Sequence, residues 1–143
     1  MEIFANYSHA LAALAGFALI VMILSPLSAI PKEKANLAPG STPSGDYDSQ
    51  AYRLNRAYLN GTESLSAFVT VTLVAMIAGA NPTWVNWLAS LVLMSRVLHV
   101  FVHIQGIGRP HRGPRTFLYV FGWACMIALG VIGIAAALSG ATA

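Results

Sequence analysis

From Ser64 to Ser95 the chain carries no charged residue, yet this stretch cannot be one straight helix. Gly79-Ala80-Asn81-Pro82 interrupts it with a strong turn signal. Each half then falls short of the roughly 20 apolar residues that a bilayer crossing requires. The first half must extend back through Glu63 and Asn60, the second forward through Arg96 and His99. Ionisable groups are thereby drawn into the membrane or its mouth. That is costly in lipid and marks a protein-lined or watery site.

Two further runs are long enough to span. Ile3 to Pro31 and Thr116 to Leu138 hold no Lys, Arg, Asp or Glu. Over the 143 residues, 57% are hydrophobic and 9% charged, against about 25% charged in an ordinary soluble domain. That excludes a water-soluble monomer and a disordered chain. A cleaved signal peptide fits poorly, because Met1-Glu2 offers no basic start and Pro26 lies beyond the apolar centre. The single cysteine, Cys125, rules out an internal disulfide.

The expected fold is all-α: an integral membrane four-helix bundle forming one domain over residues 1–143. Helices are expected over roughly 7–30, 51–79, 83–105 and 115–138, with loops at 31–50 and 106–114. The first loop is rich in turn formers, Pro39-Gly40-Ser41-Thr42-Pro43-Ser44-Gly45. Lys32, Lys34, Arg53 and Arg56 flank it, and Arg109, Arg112 and Arg115 flank the third loop. The positive-inside rule puts both loops in the cytoplasm and both termini on the far side. In a bacterial cell this is the inner membrane. The formal charge of +3 follows from topology, with no nucleic acid needed. Trp84, Trp87, Tyr7 and Tyr47 lie near helix ends and read as interface anchors.

The polar residues form stripes. Arg53, Arg56, Asn60 and Glu63 are three or four apart on the second helix. Arg96, His99 and His103 repeat that spacing on the third, as do Arg115 and Tyr119 on the fourth. At 3.6 residues per turn each set shares a face. Glu63 and Arg96 lie about 22–27 Å from the Asn81 turn at 1.5 Å per residue, so they can face one another. Arginine forks suit carboxylates and phosphates, and a carboxylate suits an ammonium. A zwitterion with several carboxylates would fit. Glu63 with Arg56 or Arg96 would also serve as a plain interhelical ion pair. His99 and His103 lack a third partner for a metal at matching spacing, so no metal is expected. A proton channel is disfavoured because Val71, Val74, Ile77, Leu91, Ile127 and Val131 leave the far half apolar.

The segment Arg56-Ala57-Tyr58-Leu59-Asn60-Gly61-Thr62-Glu63 resembles the arginine–asparagine–glutamate signature of the MAPEG family, membrane-associated proteins of eicosanoid and glutathione metabolism. Arg96, His99 and Arg115-Thr116-Phe117-Leu118-Tyr119 are similar to that family's third-helix arginine and fourth-helix start. The resemblance implies a homotrimer in membrane lipid, with glutathione bound between subunits in a cytoplasm-facing cleft. It implies a lipophilic small molecule entering from the bilayer. Arg53, Arg56, Asn60, Glu63, Arg96 and Tyr119 would hold glutathione, joined by His99 and His103. Arg115, helped by Thr116, would stabilise the thiolate. The implied activity is a glutathione transferase or peroxidase. The alternative is a non-catalytic protein on the same scaffold that binds an anionic metabolite or lipid headgroup.

Overall fold

The computed structural model describes residues 2–108 and 112–140. A short 3₁₀-helix, Glu2–Tyr7, leads into α1, Ser8–Lys34. The chain continues through α2, Gln50–Ile77, α3, Pro82–Ile104, and α4, Pro114–Gly140. Each of the four is long and apolar enough to cross a membrane. No strand occurs among the described residues. Arg109, assigned above to topology, lies outside the described residues.

α1 runs four residues beyond its expected end at 30, passing through Pro26 and Pro31. Each proline deletes one backbone donor, which a well-packed membrane helix tolerates. The helix stops at Asn36, whose φ of 54° turns the chain left-handed. There Asn36 N donates to Glu33 O at 2.9 Å and Leu37 N to Lys32 O at 2.9 Å.

Gly79, with φ of 71°, ends α2 in the same way: Gly79 N donates to Met76 O and Ala80 N to Ala75 O. Asn81 then caps α3, its Oδ1 accepting from Thr83 N at 3.0 Å, and Pro82 occupies the first turn. Helix stop and helix start share a few residues, so α2 and α3 return antiparallel. Tyr7 and Asn86 stitch this end of the bundle to α1. The Tyr7 hydroxyl donates to Ala80 O, and Asn86 bonds both Ala10 N and Asn6 O. Tyr7 is therefore buried rather than an interface anchor, whereas Trp84 and Trp87 are exposed.

The helices pack in the cyclic order α1, α2, α4, α3, with α2 and α3 also touching across the short diagonal. The centre holds Phe17, Phe68, Met76, Val92, Met126 and Leu129. Outward faces carry large apolar side chains such as Met22, Ile77, Phe101 and Ile127. Apolar side chains both inside and outside suit a bundle surrounded by hydrocarbon over most of its surface.

Lipid offers helices no hydrophobic reason to associate, so close packing of small residues must supply the attraction. Gly133 shows how close. A Cβ there would lie 3.1 Å from Ala75 N and 3.2 Å from Ala75 Cα. Gly133→Val forces α4 off α2 and destabilises by about 1–3 kcal/mol. Gly130 is the control, because its Cβ would sit at an ordinary 3.4 Å from Val71. Melting in detergent should fall for Gly133→Val and hold or rise for Gly130→Ala. Equal melting of both variants would show that the α2–α4 contact is not tight.

Candidate functional site

Three helix faces meet in one cavity of about 350 Å³. α2 contributes Tyr52, Arg56, Asn60 and Glu63; α3 contributes His99 and His103; α4 contributes Arg115, Thr116 and Tyr119. The intervals of four, four and three on α2 keep its four residues on one stripe. All the site residues expected from sequence line this cavity except Arg53 and Arg96.

Local bonds organise the walls. Arg56 Nη2 donates to Asn60 Oδ1 at 3.1 Å, one turn along α2. Arg115 Nη1 lies 3.3 Å from His103 Nδ1, which joins α4 to α3. The His99 and His103 rings stack at 5.7 Å with 13° between planes. His99 meets the Tyr119 ring at 5.7 Å, tilted by 48°. No third histidine, cysteine or carboxylate joins these histidines among the described residues.

Glu63 is exposed at the cavity's edge. The Glu63–Arg96 pair that depth alone would permit is not formed. The Arg96 guanidinium nitrogens are buried and have no hydrogen-bond partner among the described residues. Arg96 is 2% exposed and lies behind Tyr119, its guanidinium carbon 5.1 Å from that ring and 5.9 Å from the ring of Phe17. Gly122 leaves the room for it: a Cβ there would sit 3.2 Å from Arg96 Nη2 and 2.5 Å from Ser95 Oγ.

Arg53 has a different task from lining the cavity. Its Nε donates to Ile104 O at 3.0 Å, satisfying a carbonyl at the end of α3. Its Nη1 donates to Tyr47 O at 2.9 Å and Asp48 O at 2.7 Å. One guanidinium thus latches the end of the first loop onto α3. Gly106, with φ of 67°, gives it space, since a Cβ there would meet the guanidinium at 3.3 Å.

Residues 8–135 match the sequence profile of the MAPEG family. The chain belongs to that family. No curated protein and no solved structure matches it. Membership makes this a multi-pass membrane protein of the glutathione and eicosanoid metabolism family.

Two tyrosines join this cavity region beyond the residues singled out from the sequence. Tyr52 lies one turn before Arg56, and that interval of four was its only signal in the sequence. Tyr47 was read as an interface anchor. It instead folds over the site, its ring 5.0 Å from the Arg115 guanidinium carbon and 5.8 Å from the His103 ring. Nothing in the local sequence announces this, because a loop and the Arg53 latch bring it there.

Proposed function

We propose that this MAPEG protein is a glutathione-dependent membrane enzyme, a transferase or peroxidase acting on lipophilic electrophiles or hydroperoxides. The observation that carries the reading is the charge set in one cavity: Arg56 and Arg115 on the walls, Arg96 behind them, and a single carboxylate, Glu63, at the edge. Glutathione presents two carboxylates, one ammonium and one thiol. Arg56, held by Asn60, takes a carboxylate, and Glu63 takes the ammonium. Arg115 and Thr116 face the thiol, with His99, His103 and Tyr119 closing the pocket. Arg53 and Arg96 act from behind, one by pinning the loop and the other by its charge. A free thiol has pKa about 8.5, and a guanidinium beside it raises the thiolate fraction at neutral pH. The proton leaves to water. The sulfur then forms a bond to the electrophile as the leaving group departs.

The assembly in this reading is a trimer, with loops one and three on the cytoplasmic side. Glu63, Ser66 and Thr70 form an exposed polar face on α2 within a membrane span. Such a face against lipid is expensive, and a neighbouring copy would cover it. The cavity, open on this side, would then lie at the subunit boundary, with the bilayer supplying the apolar substrate.

Titrating purified protein with glutathione tests the reading, followed by thermal stabilisation and ultraviolet thiolate absorbance. Glu63→Gln should weaken binding about 10- to 100-fold, the effect of losing one hydrogen bond to a charged group. Ligand-free melting should stay unchanged, because Glu63 makes no ion pair within the described chain. A lower melting temperature with unchanged affinity would reassign Glu63 to structure. Failure of the wild type to bind glutathione would leave the non-catalytic scaffold reading.

A further inference from the structure

The contact between α3 and α4 at the cavity determines the proton arrangement of one ring. Arginine carries only donors, so the Arg115–His103 bond is made by Nη1–H of Arg115. His103 Nδ1 must therefore present its lone pair. A neutral imidazole with Nδ1 bare carries its proton on Nε2. That Nε2 atom is buried and has no hydrogen-bond partner among the described residues. His103 itself is 1% exposed, yet it lines the cavity. A buried donor without an acceptor is costly, and the cavity is where an acceptor can arrive.

Tyr47 adds a second hold. Its ring lies near both the Arg115 guanidinium, at 5.0 Å, and the His103 ring, at 5.8 Å. Its position is set by the bond from Arg53 Nη1 to its carbonyl. The Arg115 head is thus gripped by a lone pair and by an aromatic face.

From this geometry we infer that His103, in its Nε2–H form, is a positioning residue that fixes Arg115 through Nδ1 and offers Nε2–H to an acceptor atom of the bound ligand. The inference rests on the proposed glutathione reading for the identity of that ligand. The two functions of the ring are separable, because the two nitrogens do different work. Asparagine places an amide oxygen near the Nδ1 position and keeps the acceptor. Glutamine places an amide nitrogen near the Nε2 position and keeps the donor. Phenylalanine keeps the ring and neither.

The first test needs no ligand. In protein carrying ¹⁵N-labelled histidine, the His103 signals, assigned by their loss in H103F, should show a bare Nδ1 and a protonated Nε2 at neutral pH. Replacement of Arg115 by glutamine should disturb that pattern. An Nδ1–H form, or a doubly protonated ring, overturns the inference. The second test is kinetic. H103Q should lower kcat about 10- to 100-fold, as expected for losing one charge-assisted hydrogen bond, with a smaller change in KM. H103N should do the reverse, raising KM more than it lowers kcat, and H103F should do both. The same kcat in H103Q and the wild type overturns the positioning role. A wild type without glutathione turnover defeats the glutathione reading instead, and the nitrogen spectra then decide the inference by themselves.

Discussion

Arg115→Ala lowers glutathione-dependent turnover by about 10²–10³-fold, the usual result of removing one preorganised electrostatic group from a reacting centre. Affinity should fall much less, because in the proposed reading Arg56 and Glu63 would still hold the ends of the ligand. The distinction follows from position. Arg115 lies in the first turn of α4, where helix-start N–H groups add positive potential. It is fixed from two sides by His103 and Tyr47. Lysine restores only part of the rate, since an ammonium lacks the planar fork that bonds Nδ1 while facing the thiol. Turnover of both variants against 1-chloro-2,4-dinitrobenzene and a lipid hydroperoxide, normalised to folded protein, checks this. Full activity of the lysine variant would reduce Arg115 to a topological anchor.

Replacing Arg96 with methionine stabilises the ligand-free protein and weakens its response to ligand. Desolvating a guanidinium costs several kcal/mol per ion. Against that, its place near Tyr119 returns about 0.5–2 kcal/mol as a cation–π contact. With no hydrogen-bond partner among the described residues, the balance favours an apolar side chain of similar volume. Such replacements of buried charge gain about 1–4 kcal/mol in favourable cases. The ligand-free melting temperature of Arg96→Met should therefore rise, and the shift produced by glutathione should shrink. A variant that melts lower than the wild type would show that the contacts of Arg96 outweigh the cost of burying its charge.

How much of this was legible beforehand depends on whether a feature is periodic or long-range. The four spans were visible because apolar runs and the Asn81-Pro82 turn are local signals. The cavity was visible because intervals of three and four fix helix faces, so Arg56, Asn60, Glu63, His99, His103, Arg115 and Tyr119 meet as the stripes suggested, while Thr116 came only from the family resemblance. The same arithmetic does not tell Arg53 and Arg96, which stand off the cavity wall, from the residues that line it. A stripe is wider than a pocket, and one turn along α2 carries Arg53 to the end of α3. Arg96 shares its helix face with His99 but lies deeper, behind the Tyr119 ring. Tyr47 was illegible, since its place depends on a guanidinium bonding backbone carbonyls across a turn-rich segment.

The Arg53 latch separates the length of the first loop from the shape of the pocket. Residues 35–49 connect α1 to α2. They are held near the start by Lys32 Nζ on Pro39 O and at the finish by Arg53 on Tyr47 O and Asp48 O. The stretch between Gly40 and Asp46 carries no part of the cavity wall. Lengthening a flexible stretch raises closure entropy slowly, by about 0.6 kcal/mol for each doubling. Pro43 is buried within the segment between Gly40 and Asp46, but chain can be gained or lost at the exposed Ser44-Gly45 pair without moving the aromatic roof over Arg115. A length change at that point leaves the final residues of the loop tied to the cavity by Arg53.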